Sequence, residues 1–279
     1  MSVRIIVDST TDLLPEIKNK VIVVPLTIHF GEESFIDGVT ITNQQFYEKL
    51  IETDTMPRTS QANPADFVRE FERIAANGDS AVVITLSSTL SGTYQSAMIA
   101  AADFENIFVV DSRTAAIGAG ILTELALRLA DSGLDASFIT QRLEEEKKNI
   151  RVIALMDTLE YLKRGGRLSK TVAFAGTLLN IKPVISLLDG EILILGKARG
   201  SRQGNNLLIS EIQKSGGVDF SKPILLGYTG LTDVLLQKYI ADSADLWQDS
   251  ASALDYTTIG SVIGTHAGPG AIAAAFFIK

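Results

Sequence analysis

The chain contains no cysteine and only two histidines among its 279 residues. Without cysteine it can form no disulfide, no zinc–thiolate site and no thiol nucleophile. Two histidines argue against a transition-metal site, and no dense Asp/Glu motif suggests a carboxylate cage for magnesium. We therefore expect a protein that uses no metal ion and no cofactor.

Basic residues are scarce relative to acidic ones. The chain has 25 Lys and Arg against 33 Asp and Glu, which gives a formal net charge of −8. Nucleic acids and anionic membranes are bound through clustered Lys and Arg, so the charge argues against both partners. No apolar run is long enough to span a bilayer, and the N-terminal residues do not resemble a signal peptide. We expect a soluble, cytoplasmic protein without a transmembrane segment.

Short β-branched runs alternate with longer helical patterns in the first half of the chain. The strands are predicted at residues 4–7, 21–25, 81–86 and 107–111, and the helices at residues 64–76, 92–103, 114–132 and 136–149. Strands that alternate with helices indicate βαβ units, in which a parallel sheet carries helices on both faces. The pattern predicts a Rossmann-like N-terminal α/β domain over residues 1–150.

The second half has a different pattern. Its strands are predicted at residues 151–156, 183–188, 191–195, 223–228 and 256–259, and its helices at residues 158–164, 202–214 and 233–244. Asp189-Gly190 between two apolar runs is a strong signal for a two-residue β-hairpin. We therefore predict a C-terminal α/β domain over residues 151–279 with a mixed or antiparallel sheet, and a ligand site between the two domains.

Three polar segments, two of which contain glycine, stand out from the apolar background, and we interpret all three as turns: residues 59–61, 90–95 and 264–270. Ser91 precedes a predicted helix, whose free N–H groups attract an anion. His266 lies among glycines that allow the backbone to approach a ligand closely. The segments together predict a site for one anionic head group. Two structural alternatives stay open, namely Ser91 as a helix cap and Thr59-Ser60 as a turn.

A further polar segment, residues 8–12, follows the first strand at the edge where α/β sheets bind ligands. It is equally consistent with a turn in which Asp12 caps a helix. The phosphate-binding loop, the serine-nucleophile elbow, the dinucleotide fingerprint and the zinc-protease motif are all missing from the sequence. The sequence therefore indicates a binding protein rather than an enzyme.

The motifs resemble those of the DegV family of bacterial fatty-acid-binding proteins over essentially the whole chain. The matching segments are Val7-Asp8-Ser9-Thr10-Thr11-Asp12-Leu13, Arg58-Thr59-Ser60-Gln61, residues 86–97, Val110-Asp111-Ser112-Arg113, residues 159–167 and residues 264–270. The resemblance implies a two-domain α/β fold that buries a fatty acid such as palmitate, stearate or oleate. It places the carboxylate at Thr59, Ser60, Ser91 and Gly92, with His266 close by.

The resemblance also implies a partner. Members of the family present the bound fatty acid to a separate ATP-dependent fatty acid kinase, which makes an acyl phosphate for phospholipid synthesis. We expect the kinase to dock on cations in two basic, glycine-rich segments of this acidic protein, namely Arg164, Arg167, Arg199 and Arg202. The family commonly has proline after Thr-Ser-Gln, whereas this chain has Ala62, which predicts a less rigid loop.

Burial of the tail dominates the expected affinity. A long acyl chain gains about 0.8 kcal/mol per buried CH₂, whereas a head-group hydrogen bond contributes about 1–3 kcal/mol. Residues 172–179 and 181–188 are apolar enough to line the tail pocket. In a second interpretation His266 binds the carbonyl of a small ketone, as in kinases thought to share this fold. A third interpretation is a serine hydrolase that uses Ser91 and His266, although the sequence lacks the nucleophile elbow.

Overall fold

The computed structural model describes residues 2–168, 180–247 and 254–279. Within them the helices are α1 (Pro15–Lys18), α2 (Asn43–Glu52), α3 (Pro64–Ala76), α4 (Thr93–Ala101), α5 (Ile117–Asp131), α6 (Ala136–Glu146), α7 (Glu160–Arg164), α8 (Gly200–Lys214), α9 (Val234–Asp242) and α10 (Ser261–Ala267). None of the helices in these ranges is long and apolar enough to cross a membrane.

The strands in the same ranges are β1 (Val3–Asp8), β2 (Ile22–Val24), β3 (Thr27–Phe30), β4 (Glu33–Ile36), β5 (Arg58–Ser60), β6 (Ser80–Thr85), β7 (Ile107–Asp111), β8 (Ile150–Leu155), β9 (Ile181–Leu188), β10 (Glu191–Arg199), β11 (Leu225–Tyr228), β12 (Tyr256–Thr258) and β13 (Ile272–Phe277). Every helix and strand predicted above has a counterpart, and most boundaries differ by only a few residues.

The first half forms a parallel four-stranded sheet in the order β2-β1-β6-β7. Side chains alternate between the two faces of a strand. Accordingly, Ile5 and Val7 of β1 pack in one core with α5 and α6, whereas Ile6 packs in another with α2, α3 and α4. Helices therefore cover both faces of the sheet, which confirms the Rossmann-like prediction.

The second half forms a six-stranded sheet in the order β10-β9-β8-β13-β11-β12. Its neighbours are antiparallel except for the β11–β12 pair, so the sheet is mixed, as predicted. The β9–β10 hairpin turns at Asp189 and Gly190, whose φ angles of 50° and 82° suit a two-residue turn. One face of this sheet packs on α5 and the other on α8 and α9.

Helix α5 lies between the two sheets and is buried along most of its length. Small residues allow this close packing. A Cβ on Gly118 would lie 2.5 Å from Cγ2 of Val152 in β8, and one on Gly120 would lie 2.2 Å from the carbonyl oxygen of Asp12. The glycines of α5 therefore allow β8 and the loop after β1 to approach the same helix.

Three details differ from the sequence predictions. Thr59 and Ser60 belong to β5, which pairs with β3 in a small antiparallel sheet, so they form no turn. Residues 264–267 complete helix α10, since Val262 and Ile263 give the segment an apolar face that packs inward. Helix α5 begins at Ile117 rather than at residue 114. The 150/151 domain boundary stays a prediction, and residues 172–179 lie outside the described residues.

Candidate functional site

An apolar cavity lies beside the first turn of α5, with walls from both halves of the chain. The apolar residues that line it are Leu26, Leu86, Leu90, Ala115, Ala116, Ile117, Val152, Ala154, Met156, Leu162, Ile185, Leu187, Ile192, Ile259, Val262, Ile263, Ala267, Ala271 and Ala273. Ile185 and Leu187 belong to the predicted segment 181–188. The polar residues of the wall are Thr59, Gln61, Ser91, Arg167, Thr229 and His266.

His266 and Thr59 meet at this wall from opposite halves of the chain. Oγ1 of Thr59 lies 3.0 Å from Nε2 of His266. Strand β5 directs alternate side chains to opposite sides, so Ser60 faces away. Its Oγ lies 2.9 Å from Nε2 of His29 on the exposed side. The structure therefore brings Thr59, but not Ser60, to the cavity with His266.

The imidazole of His266 is neutral at physiological pH. Burial lowers its pKa to about 4, and the positive charge of Arg167 acts in the same direction. Nδ1 is buried and has no hydrogen-bond partner among the described residues. Gly165 at the end of α7 makes room for it, because a Cβ there would lie 2.2 Å from Nδ1.

Ser91 lies in the loop before α4, and its hydroxyl forms part of the cavity wall. The N–H of Thr93 donates to Ser91 Oγ at 3.3 Å, and the two hydroxyl oxygens are 3.0 Å apart. Gly92 occupies the N-cap position of α4, so the alternative of Ser91 as the cap is one residue too early, although its hydroxyl does accept the N–H of the first helical residue. The Gln61 amide packs closely on Gly92, and a Cβ at this position would force the Gln61 side chain to move.

Ala62 occupies the position where the sequence analysis expects a less rigid loop. Its N–H donates to Oγ1 of Thr93 at 3.3 Å, and Gln61 Nε2 donates to Oγ of Ser96 at 2.9 Å. A proline at this position would have no N–H to donate. The loop is thus tied to α4 by a bond that only a residue other than proline can form.

Arg167 contributes to the site although the sequence analysis assigns it to partner docking. Its side chain lines the cavity, where Nε donates to Leu90 O at 3.1 Å and Nη1 to Gly165 O at 2.7 Å. The guanidinium is therefore held beside the polar end of the cavity. Its position directly after Gly165-Gly166 was the available signal, because a Gly-Gly turn can direct the chain back on itself.

The other predicted docking arginines lie on the surface. Arg164 is exposed and pairs with Glu160 at 2.6 Å across one turn of α7. Arg199 and Arg202 are exposed at the start of α8. Exposed cations of this kind contribute little to stability.

The site combines an apolar wall with a guanidinium, three residues that carry hydroxyls, one side-chain amide and a neutral imidazole. Small-molecule sites are typically apolar, with a few polar groups that fix orientation. A guanidinium and hydroxyl donors suit a carboxylate. Across residues 2–168, 180–247 and 254–279, no group of three or more His, Asp or Glu side chains is placed to hold a metal ion.

Comparison with known proteins places the chain in a family. The model of the DegV family, described as uncharacterised proteins, matches residues 2–279. The chain belongs to the DegV family. It is 37% identical over 280 residues to a DegV domain-containing protein of Caldanaerobacter subterraneus subsp. tengcongensis, with 99% of this chain and 98% of the relative covered.

Two solved structures are similar to this DegV chain over its whole length. One is a DegV family protein from Thermus thermophilus that binds fatty acid. It is 30% identical to this chain, with a TM-score of 0.86 and 100% of both chains covered. The other is a stearic acid-binding protein from Eubacterium ventriosum ATCC 27560, with 26% identity, a TM-score of 0.85, and 99% and 98% of the two chains covered. The family resemblance and the two-domain α/β fold are confirmed.

Proposed function

We propose that this DegV family protein binds a long-chain fatty acid with its tail in the apolar cavity. One observation carries the proposal: the cavity wall is made mostly of apolar side chains, and only a few polar side chains interrupt it. The fatty acids bound by the two similar structures support it. A small ketone would leave most of the apolar wall without a partner, which argues against the alternative interpretation of His266.

The carboxylate in this proposal lies among Thr59, Ser91, Arg167 and His266. Arg167 supplies the positive charge, because the imidazole is neutral. The two hydroxyls donate hydrogen bonds, and the N-terminus of α4 behind Ser91 adds a partial positive charge. The Ser60 hydroxyl is directed at His29, so we assign it no contact with the carboxylate.

Organic extraction of gently purified protein, followed by mass spectrometry, tests the proposal. We expect one dominant set of long-chain fatty acids at close to one molecule per chain, because tail burial favours retention. Protein without extractable fatty acid that also takes up none when palmitate, stearate or oleate is added would contradict the proposal.

A matched pair of serine variants tests the head-group assignment. Ser91→Ala and Ser60→Ala remove the same hydroxyl group, one in the cavity wall and one outside it. We expect Ser91→Ala to weaken fatty acid binding by about 1–3 kcal/mol, as is usual for a hydrogen bond to a charged group. Ser60→Ala should bind like the wild type, measured by displacement of a fluorescent fatty acid. Equal losses in both variants would place the carboxylate elsewhere.

We further propose that the protein is a carrier, not an enzyme, and that it presents the carboxylate to a separate ATP-dependent fatty acid kinase. Its exposed docking cations are Arg164, Arg199 and Arg202. Arg202 lies in the first turn of α8, where a cation is unfavourable for the helix dipole and suggests another purpose. The cytoplasmic location and the absence of a cofactor also stay predictions.

Kinase assays over a range of salt concentrations test the carrier role. Arg202→Ala should keep fatty acid binding and lose acyl-phosphate formation by a purified fatty acid kinase, because exposed charges mainly affect encounter and docking. Unchanged rates at every salt concentration for alanine variants of all three arginines would place the docking surface elsewhere.

A further inference from the structure

The helix that carries His266 is held at its start by side chains from the first half of the chain. The Tyr47 hydroxyl in α2 donates to the carbonyl oxygen of Ile259 at 2.8 Å. The N–H of Gly260 donates to Oδ1 of Asp12 at 2.8 Å. Both bonds are buried, and each joins residues more than two hundred positions apart in the sequence.

A third bond continues the series. The Ser261 hydroxyl donates to Oδ1 of Asn43 in the first turn of α2 at 3.1 Å. Three consecutive residues, 259–261, are thus each in contact with a side chain of the first half, and Ser261 also lies beside the Asp37 carboxylate. We call Asp12, Asn43 and Tyr47 the α10 clamp.

Packing adds to these bonds one turn further along α10. A Cβ on Gly264 would lie 2.6 Å from the Tyr47 hydroxyl oxygen and 2.9 Å from Cε1 of Phe46. The backbone of α10 therefore rests directly on α2. Two residues later, His266 reaches Thr59. His266 therefore lies on the same short helix whose first residues these contacts hold.

Asp12 is a buried ionisable residue whose side chain makes a single hydrogen bond, the one to the Gly260 N–H. The side chain is buried, and its Oδ2 has no hydrogen-bond partner among the described residues. Burial raises the pKa of Asp12 well above its ordinary value, and the nearby Asp37 adds to the shift. The chain therefore places a carboxyl group in a costly environment, where its one bond goes to the residue before α10. The turn interpretation of residues 8–12 makes Asp12 a helix cap. In the structure Asp12 is not the N-cap of any of the helices α1 to α6.

We propose that Asp12, Asn43 and Tyr47 are positioning residues that set the location of His266 at the polar end of the fatty acid cavity. The proposal rests on the proposed function and adds the groups that orient the head-group site without touching the ligand. Ile259, Val262 and Ile263 also line the cavity, so a displaced α10 would alter the apolar wall as well.

Replacement of Asp12 by two different residues tests the clamp. Asp12→Asn keeps an acceptor oxygen for the Gly260 N–H, whereas Asp12→Ala removes it. We expect Asp12→Ala to weaken binding of oleate about tenfold, the effect of losing one head-group hydrogen bond. Asp12→Asn should restore an affinity close to that of the wild type.

The imidazole NMR signals of ligand-free protein report the position of His266 directly. The chain has two histidines, so a His29→Gln variant assigns both sets of signals. Asp12→Ala should shift the His266 signals and Asp12→Asn should return them. This measurement needs no ligand. If the wild type bound no fatty acid, the proposed function would fail while the clamp would still be tested.

Two further variants separate positioning from stability. Asp79→Ala removes a carboxylate that binds Ser2 and Arg4, and it should lower stability without moving the His266 signals. Tyr47→Phe removes one hydroxyl group and keeps the ring. If Asp12→Ala does not fold, Tyr47→Phe therefore tests whether the α10 clamp sets the location of His266. Wild-type His266 signals and wild-type oleate affinity in a folded Asp12→Ala or Tyr47→Phe protein would overturn the proposal.

Discussion

The neutral state of His266 has a measurable consequence for stability. Its pKa is about 4 in the folded chain against an ordinary value of 6.5, so the unfolded chain binds more protons between these values. His266 therefore makes a contribution to stability that grows by about 2–3 kcal/mol as pH rises from 4 to 6.5. Urea unfolding across this range should show the unfolding free energy of the wild type rising relative to that of His266→Asn by this amount, because every other titrating group is common to both proteins. Parallel curves for the two proteins would contradict the low pKa.

Asp37 should produce the opposite trend. Burial raises its pKa to about 6, although the neighbouring hydroxyls of Ser9 and Ser261 offset part of the shift. The folded chain then binds more protons than the unfolded chain between pH 4 and 6, so stability falls as pH rises through that window. As pH rises from 4 to 6, the unfolding free energy of Asp37→Asn should increase relative to that of the wild type by about 2–3 kcal/mol. A pH-independent difference would refute the assignment.

Single residues of the site could be predicted only in part. Glycine neighbours singled out Ser91 and His266, because close backbone approach leaves a trace in the sequence. Arg167 also follows two glycines, but its charge suits a surface as well as a cavity, so the sequence did not distinguish the two locations. The distinction between Thr59 and Ser60 depends on strand alternation, which three residues of β5 are too few to reveal.

Among the elements, α7 and its glycine end offer the sharpest test of the site. Gly165→Ala fits the backbone, but its Cβ would lie 2.2 Å from His266 Nδ1. Gly166 has a φ angle of 70° and nothing within 4 Å of a new Cβ. We expect Gly165→Ala to weaken fatty acid binding, because it displaces the imidazole.

Gly166→Ala is the matched control for that variant. It should cost about 1–2 kcal/mol of stability through its left-handed backbone and leave fatty acid binding unchanged. Calorimetric titration with oleate and thermal unfolding separate the two effects. Equal binding by both variants would mean that His266 does not contact the ligand.

Most of the longer elements of the fold could be predicted from the sequence because hydrophobic periodicity persists over several turns or residues, although β13 and α2 were not among the predicted elements. The short strands β3, β4 and β5 and the seven-residue helix α10 could not, since each forms only against partners distant in sequence. Helix α2 did carry a signal, because Thr42 and Gln45 form a capping box.

The two halves of the molecule share more buried surface than a domain boundary at residue 150 suggests. One hydrophobic core contains Ile5 and Val82 of the first half together with Ala154, Leu225 and Phe277 of the second. Helix α5 supplies the centre of that core, and α10 returns from the second half to pack on α2. Each half also has a cluster largely of its own, but the core around α5 is buried only when the two halves are together.

This shared core predicts one cooperative unfolding transition for the whole chain. Differential scanning calorimetry should give equal calorimetric and van't Hoff enthalpies. A fatty acid that binds only the folded chain should raise the midpoint of that single transition, by the equivalent of about 2.7 kcal/mol at a hundredfold excess over Kd. Two separate transitions, with a fragment of residues 1–150 reproducing one of them, would show instead that the halves fold independently and that the cavity forms only when they dock.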